Sequence, residues 1–387
     1  MKDTLRLGRI AGVSVGLHWS LLVIAGLLTA GLAEGRFPGE APGYSNFEYV
    51  GAAAVTTAVF LACVLAHEVS HAVVARREKI GVDGITLWLL GGVTRMTTKV
   101  MTPEAELAIS GIGPLTNLVL GVVLGGAGIA FNAAGISPLL VDILRWLGVI
   151  NVVLAILNIL PGAPLDGGRL LHAIVWHRHG DPLRATRVAT RAGAILGAVL
   201  IGIGLAEFAF GTAVGGGLSL VLIGWYLRVG ARVEEAHAEA QHALEDFTVA
   251  DVTTRDPLVA PGWLTVAEFV ASRRTSLEEA LPVEDRDGTL LGTVSARQLR
   301  LVPRGRRTTT RVGDIVRPLS GVPTFGTAEP AAALLDRTAA DDDGLALVLD
   351  ADRLVGAVRR RDLARVTVRN QASATADARA GSCQSSS

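Results

Sequence analysis

The sequence predicts a polytopic α-helical membrane protein with a short membrane-associated β segment, followed by a soluble α/β domain. Half of the 387 residues are hydrophobic and only 19% are charged, against about a quarter in an average soluble domain. The charged residues are concentrated after about residue 230. The 36 basic and 36 acidic side chains cancel, which excludes a strongly basic nucleic-acid binder, so we expect no nucleic-acid partner.

Six apolar segments predict about six transmembrane helices, because a hydrocarbon core about 30 Å thick requires roughly 20 apolar residues in a helix. The predicted spans cover residues 15–32, 49–75, 104–131, 139–160, 192–214 and 217–229. The first span lacks the cleavage pattern of a signal peptide, so we expect it to be retained. The lipid bilayer is therefore a predicted partner of this half of the chain.

Basic residues mark the loops that we expect in the cytoplasm. Lys2, Arg6 and Arg9 precede the first span, and Arg76 and Arg77 follow the second. Further arginines follow the fourth and sixth spans, whereas the intervening loops carry almost none. This alternation predicts a multi-pass protein of the plasma membrane, with both termini and the soluble domain in the cytoplasm.

The second predicted span contains the segment His67-Glu68-Val69-Ser70-His71. In a helix, residues i and i+4 share one face, so the two imidazoles can bind one zinc ion and the glutamate can serve as a general base. Ionisable residues inside a membrane span are costly and usually functional. A chance polar patch in a core helix is the alternative, and the spacing favours a metal site.

A catalytic zinc site has three protein ligands, and the sequence offers five candidates for the third: Glu104, Glu106, Asp166, His172 and Asp181. Asp166 follows a Pro/Gly-rich break near the cytoplasmic end of the fourth span, at the depth expected for the histidine pair. Irregular backbone at such a depth is tolerated where it lines a polar cavity. Asp166 is therefore the predicted third ligand. Alternatively, Asp166 belongs to a simple turn, and Glu104 and Glu106 are N-terminal helix acids.

These motifs give the chain a resemblance to the site-2 protease family of intramembrane zinc metalloproteases, in the branch that carries CBS domains, over about residues 10–365. The family's second motif is a broken helix ending in Asp-Gly, which matches Asp166-Gly167. The family often has Asn-Pro before this Asp, where the present chain has Pro-Leu. The resemblance implies one catalytic Zn²⁺ ion bound by His67, His71 and Asp166, with Glu68 as the general base.

Two further segments gain a role from this resemblance. Residues 85–96 contain β-branched residues around Gly91-Gly92, which predicts a short hairpin dipping into the membrane or an amphipathic connector. The resemblance implies that this segment offers an edge to an extended substrate.

The sequence alone predicts that Asn117, in the third span, forms an interhelical hydrogen bond. The resemblance implies that Asn117 faces the active site and holds the substrate or the oxyanion.

An internal repeat marks the soluble half. Residues 251–257 recur loosely as 314–318, and residues 290–295 recur as 354–359, at offsets of 63 (314 − 251) and 64 (354 − 290). Repeats of this length indicate paired units that share a core, and these resemble tandem CBS motifs. The predicted domains are a membrane core over 1–232, a helical linker over 233–247, CBS motifs over 248–308 and 309–369, and a disordered tail over 370–387.

CBS pairs often bind adenosine nucleotides, and an Asp three residues after a Ser or Thr holds the ribose. The first repeat keeps Ser295 but has Gln298 at the Asp position, whereas the second keeps Asp362 but has Arg359 at the Ser/Thr position. Neither copy is complete. Binding of an adenosine nucleotide through Ser295 and Asp362 competes with a tethering role or homodimerisation through the CBS pair.

The resemblance implies an intramembrane zinc endopeptidase that hydrolyses peptide bonds within transmembrane segments of membrane-anchored regulatory proteins. The family commonly cleaves anti-sigma factors, so a protein of that type is the implied substrate and partner, and the CBS pair is the implied regulator. The alternative is a CBS-regulated metal-ion transporter or channel. A general base beside a chelating histidine pair is unnecessary for transport, which favours the protease.

Overall fold

The computed structural model describes residues 5–88, 91–96, 100, 102–210, 214–272, 280–339, 343–351, 353–359 and 361–363. The chain divides into two compact units, Met1–Ala236 and His237–Ser387. The first unit contains long apolar helices and one small sheet, and the second contains two mixed sheets with short helices. The predicted disordered tail over 370–387 lies outside the described residues.

The first unit, called the membrane unit below, consists mainly of long helices. Its described helices are α1 (Ser20–Ala30), α2 (Phe37–Glu40), α3 (Asn46–Arg77), α4 (Pro103–Ala133), α5 (Pro138–Ile159), α6 (Asp166–His179), α7 (Pro182–Phe210) and α8 (Val214–Ala243). A π-helical segment, Gly31–Arg36, joins α1 to α2.

Five described spans are long and apolar enough to cross a membrane: Ser20–Glu40, α3, α4, α5 and α7. They correspond to the first five predicted spans. The sixth predicted span, residues 217–229, lies within α8, which is not one of these five. Helix α8 continues beyond that span to Ala243, through residues 233–243 of the predicted linker.

A four-stranded sheet corrects the predicted start of the first span. Its strands are β1 (Leu5–Ile10), β2 (Val13–Leu17), β3 (Val82–Trp88) and β4 (Gly91–Met96), in the order β1-β2-β3-β4. The antiparallel pair β3/β4 confirms the predicted hairpin. Residues 15–17 lie in β2, not in a helix. Strand β2 pairs on both sides and buries Val13 and Val15, and a short apolar run of this kind cannot be told from a helix by periodicity.

The fourth predicted span breaks between α5 and α6, as its prolines and glycines indicate. A Cβ atom at Gly162 would lie 2.6 Å from the Cα atom of Gly193 in α7, so the two backbones touch. The Ala163 N–H also donates to the Ala189 carbonyl of α7 over 3.1 Å. These contacts hold the irregular residues 160–165 against α7, and thereby fix where α6 begins, at Asp166.

Helices α4 and α5 also pack through glycines. A Cβ atom at Gly148 of α5 would lie 2.6 Å from the Cα atom of Gly125, and one at Gly121 would lie 3.0 Å from the Gly148 carbonyl oxygen. Small residues allow this backbone approach between membrane helices. The contact fixes the position of α4, whose earlier turns pack against α3 and α6.

The second unit contains two four-stranded sheets, β6-β7-β8-β9 and β10-β11-β12-β5. The strands are β5 (Thr254–Arg255), β6 (Ala260–Pro261), β7 (Leu281–Glu284), β8 (Leu290–Val294), β9 (Arg317–Pro318), β10 (Thr324–Gly326), β11 (Leu345–Asp350) and β12 (Arg353–Arg359). The short helices are α9 (Val249–Val252), α10 (Val266–Ser272), α11 (Ala296–Leu301) and α12 (Ala332–Ala339).

The two repeats exchange a strand, which explains their recurring glycine. Strand β5 pairs with β12 of the second repeat, and β9 pairs with β8 of the first. A Cβ atom at Gly292 would lie 2.0 Å from the Arg317 carbonyl oxygen, and one at Gly356 would lie 2.2 Å from Cγ2 of Thr253. Each glycine therefore lies where the chain of the other repeat passes. Helix α11 follows strand β8 of the first repeat directly.

Candidate metal centre and active site

Helix α3 presents two buried histidines on one face. His67 is 8% exposed and His71 is 7% exposed, and their Nε2 atoms are 3.1 Å apart. This proximity follows from their separation of four residues in a regular helix. The Nδ1 atom of His71 lies 2.6 Å from the carbonyl oxygen of Ile109 in α4. A carbonyl oxygen can only accept, so Nδ1 carries the proton. In the neutral ring, Nε2 then has a lone pair that can bind a metal ion.

Asp166 brings the third ligand atom to the same point. It is the first residue of α6, and its Oδ2 atom lies 3.2 Å from Nε2 of His67 and 3.3 Å from Nε2 of His71. The three residues form the described cluster of side chains able to hold a metal ion. The structure therefore brings together the three residues predicted as zinc ligands.

These three atoms fit a zinc ion. Zinc bonds of about 2.0–2.1 Å in a tetrahedral site separate neighbouring ligand atoms by about 3.3 Å, and the observed separations are 3.1, 3.2 and 3.3 Å. The Nδ1 atom of His67 and Oδ2 of Asp166 have no hydrogen-bond partner within the described residues. A carboxylate oxygen and imidazole lone pairs repel one another in a buried site unless a cation lies between them.

Glycine 113 of α4 closes one side of this cluster. A Cβ atom at Gly113 would lie 2.3 Å from Nε2 of His71 and 2.6 Å from Cε1 of His67, so only glycine fits. Gly113 was not among the predicted site residues. The available signal was its position in the run Gly111-Ile112-Gly113-Pro114, but a sequence pattern does not reveal which side chains face a glycine.

Asn117 lies one helical turn beyond Gly113 on α4. It is 2% exposed, and its Oδ1 atom has no hydrogen-bond partner in the described part of the chain. Residues i and i+4 share a helix face, so Asn117 follows Gly113 on the face that contacts the histidines. An unpartnered amide oxygen at this place is available to a ligand, and within the described residues the interhelical hydrogen bond expected from the sequence alone is not present for Oδ1.

The Glu68 side chain extends from α3 to the edge strand β4. Its Oε2 atom accepts a hydrogen bond of 2.9 Å from the Thr94 hydroxyl. A Cβ atom at Gly92 would lie 2.2 Å from Cγ of Glu68, so the strand passes directly over the side chain. Residues 85–96 were expected to receive the substrate, but the contacts of Gly92 and Thr94 with Glu68 were not predicted, since neither contact follows from local spacing.

The other candidates for the third ligand have different partners. Glu106 of α4 lies 2.6 Å from Nδ1 of His172 in α6, and Glu104 lies 2.8 Å from Nδ1 of His177. Asp181 accepts a hydrogen bond from the Arg184 N–H. The two Glu–His contacts tie the start of α4 to α6, the helix that begins with Asp166. They therefore help to fix the position of α6, and with it the position of the Asp166 carboxylate.

The two residues predicted to bind a nucleotide cap helices in the second unit. The Ser295 N–H donates to Oε1 of Gln298 over 2.7 Å at the start of α11. Oδ2 of Asp362 accepts from the Arg359 N–H over 3.2 Å and from the Thr254 hydroxyl over 3.4 Å. In both repeats, the residue at the family's Asp position therefore caps the backbone at the start of a helix.

Comparisons with known proteins agree with this architecture. A model of Peptidase family M50 matches residues 55–134 and 129–200. The chain is 44% identical over 370 residues to the putative zinc metalloprotease Rip3 of Mycobacterium tuberculosis, covering 95% of this chain and 93% of that protein. It is 30% identical to the putative zinc metalloprotease sll0528 of Synechocystis over 313 residues, 78% of this chain and 79% of that protein.

Solved structures resemble parts of the chain. The site-2 protease from Methanocaldococcus jannaschii is 28% identical over 60% of this chain and 94% of that chain, with a TM-score of 0.42. The CBS domain of the bacterial CNNM/CorC family Mg²⁺ transporter is 20% identical over 35% of this chain and 83% of that chain, with a TM-score of 0.30.

The chain belongs to Peptidase family M50, the site-2 proteases. It is a zinc metalloendopeptidase of the membrane that acts on membrane proteins. This assignment favours the predicted protease over the predicted alternative, a metal-ion transporter or channel.

Replacing Gly113 tests the ligand cluster. Gly113→Ala places a methyl group against both imidazoles. We therefore expect zinc affinity to fall at least about 10–100-fold, the loss that follows when a hydrogen-bond partner of a metal ligand is removed. The measurement is the zinc content of purified protein after dialysis against graded chelator. Gly111→Ala is the matched control, because its nearest neighbour is Leu170 Cδ2 at an ordinary 3.8 Å. Equal zinc retention by the two variants would contradict the assignment.

The Glu106–His172 contact predicts a pH dependence of stability. Burial alone would lower the pKa of His172, but the hydrogen bond and charge of Glu106, with a contribution from Glu234, raise it above its usual value. The stabilisation is therefore complete below the unfolded pKa of about 6.5 and is lost as pH rises through the higher folded pKa.

We expect the Tm in detergent to fall between pH 6 and pH 9 by more in the wild type than in Glu106→Gln. The control is Glu104→Gln, because Glu104 forms its contact in an exposed pair whose side chains are 66–67% accessible. Parallel pH profiles for the wild type and Glu106→Gln would show that the pair contributes nothing to the pH dependence.

Proposed function

We propose that this protein cleaves a peptide bond inside a transmembrane segment of a membrane-anchored regulatory protein, with His67, His71 and Asp166 as zinc ligands. The observation that carries the proposal is the buried triangle of Nε2, Nε2 and Oδ2 atoms, each 3.1–3.3 Å from the others. Its histidines belong to α3, a helix of membrane-spanning length and composition. A zinc ion held there supplies Lewis acidity to the scissile carbonyl and acidifies a water molecule.

The chain's own residues perform the proton transfers in this proposal. Glu68 accepts a proton from the attacking water and returns it to the leaving amine, as a general base that becomes a general acid. The buried amide of Asn117 holds the substrate or stabilises the developing oxyanion. Support for these roles comes from the position of Glu68 next to His67 and from the unpartnered Oδ1 atom of Asn117, which can accept a hydrogen bond from a substrate N–H, while its Nδ2–H groups are the donors that an oxyanion requires.

The substrate is proposed to bind in extended form beside β4. A helix protects its own amides by internal hydrogen bonds, so a transmembrane segment must unwind before hydrolysis. Strand β4 is at one edge of the sheet and crosses directly over Glu68 at Gly92. Strand addition at this edge would align the substrate backbone with the general base. A membrane-anchored anti-sigma factor is the proposed substrate class.

The location follows from the charge pattern. We propose a protein of the plasma membrane with both termini and the CBS pair in the cytoplasm, because the basic residues cluster on alternate connections. Arg76 and Arg77 end α3, so in the proposed orientation His71 lies near the cytoplasmic end of that helix. In this orientation a substrate segment released by cleavage would leave toward the cytoplasm.

The CBS pair is proposed to regulate the protease by binding an adenosine nucleotide through Ser295 and Asp362. Support comes from the exchanged strands of the paired repeats and from Asp362 at the start of the helix that follows β12. Homodimerisation through the pair is the competing role. One solved CBS relative of the same fold was determined with ATP.

Loss of cleavage in Glu68→Gln with retained zinc is the central test. The reaction is cleavage of a single-span substrate by the purified full-length protein in detergent, with the cut located by mass spectrometry. We expect the variant to lose at least about 100-fold in rate, since general acid–base catalysis contributes about 10²–10⁴-fold, while its zinc content stays at the wild-type level. Glu78→Gln, at the exposed end of α3, is the matched control. Wild-type cleavage by Glu68→Gln would refute the role of Glu68.

Titration of the full-length protein with ATP, ADP and AMP tests the nucleotide proposal. We expect saturable binding that Asp362→Ala weakens about tenfold or more, because the ribose loses a charge-assisted hydrogen bond. Asp287→Ala removes an exposed carboxylate elsewhere in the same unit and should leave affinity unchanged. Absence of nucleotide binding, with a concentration-dependent dimer instead, would support the competing role.

A further inference from the structure

Strand β4 contacts the Glu68 side chain at two successive positions on one face. Residues i and i+2 of a strand point to the same side, so Gly92 and Thr94 both face α3. Gly92 leaves room for the methylene groups of Glu68, with its ideal Cβ position only 2.2 Å from Cγ. Thr94 then reaches the carboxylate, and its hydroxyl donates to Oε2 over 2.9 Å.

The sheet fixes the hydroxyl in this place. Thr94 is paired with Ile85 of β3, and Val93 is paired with Thr86. Ile85 is fully buried, in a cluster with Ala72 of α3, so β3 is anchored on the same helix that carries Glu68. The hydrogen bond between Thr94 and Glu68 thus joins a strand and a helix that are already packed together, and little entropy is lost in forming it.

We propose that Thr94 is a positioning residue that holds the Glu68 carboxylate in the orientation needed for proton transfer. The inference rests on the proposed function, because it requires Glu68 to be the general base. A glutamate side chain has several rotatable bonds, and one fixed oxygen restricts them. The hydroxyl donates to a carboxylate, which is the stronger, charge-assisted kind of hydrogen bond.

The same arrangement links substrate binding to the base. Thr94 belongs to the strand that is proposed to receive the extended substrate. Added backbone hydrogen bonds along β4 would restrict that strand, and the restriction would extend to the hydroxyl that orients Glu68. Binding of a substrate beside β4 therefore restricts the Glu68 carboxylate to one orientation while the scissile peptide bond lies next to it.

The test compares Thr94→Val with Thr94→Ser in the full-length protein. Valine keeps the volume and branching of threonine but cannot donate, whereas serine keeps the hydroxyl. We expect Thr94→Val to lower kcat about 10–100-fold with little change in KM or zinc content, and Thr94→Ser to restore most of the rate. Thr29→Val is the matched control, because it removes a threonine hydrogen bond of 3.1 Å to Thr57 in another part of the membrane unit.

The kinetic constants of these variants distinguish a positioning role of Thr94 from substrate contact and from packing. A rise in KM without a fall in kcat would assign Thr94 to substrate contact, and equal loss in Thr94→Val and Thr94→Ser would assign it to packing; both overturn the proposal. In a Glu68→Asp background, whose carboxylate is drawn back by one methylene, Thr94→Val should cause little further loss. If Thr94→Val cleaves like the wild type, the positioning role fails while the protease assignment stands. If the zinc-loaded wild type fails to cleave any tested membrane-anchored substrate, the proposed function itself fails.

Discussion

Two imidazoles and a carboxylate share one small, buried volume, and the membrane unit depends on this constraint. Their three facing atoms are 3.1–3.3 Å apart, an arrangement that is unfavourable in a low-dielectric interior without a cation. The ligands come from α3 and α6, helices far apart in the sequence. The contacts of α4 with both histidines and of residues 162–163 with α7 hold these two helices at that separation and keep the ligand atoms facing one another.

Glycine supplies most of that control, because each close approach requires a missing side chain. Gly113 lets α4 contact both histidines, and the touching backbones of Gly162 and Gly193 hold the break before Asp166. Gly92 lets an edge strand cross Glu68. The glycines thus determine where the ligand atoms lie and where the base lies, whereas the polar residues provide the chemistry. The paired repeats of the second unit also approach each other closely at glycines, Gly292 and Gly356.

The sequence predicts those parts of the site that depend on local spacing. His67 and His71 are one helical turn apart, and the Pro/Gly break before Asp166 is visible in the residues themselves. The strand at Val13–Leu17 was not predicted, because its burial comes from neighbours distant in the sequence. The contacts of Gly113 with the histidines and of Thr94 with Glu68 are likewise tertiary. Partners for Glu104 and Glu106 also emerge only when α6 packs on α4.

The zinc K-edge X-ray absorption spectrum of the purified full-length protein tests the ligand assignment most directly. We expect one zinc ion per chain with two imidazole nitrogens and further nitrogen or oxygen donors at about 2.0–2.2 Å. We expect no sulfur scatterer at about 2.3 Å, although Cys63 lies one turn from His67 on α3. Asp166→Ala should lose zinc or change the spectrum. A sulfur ligand, folded wild-type protein without zinc, or an unchanged spectrum in Asp166→Ala would contradict the assignment.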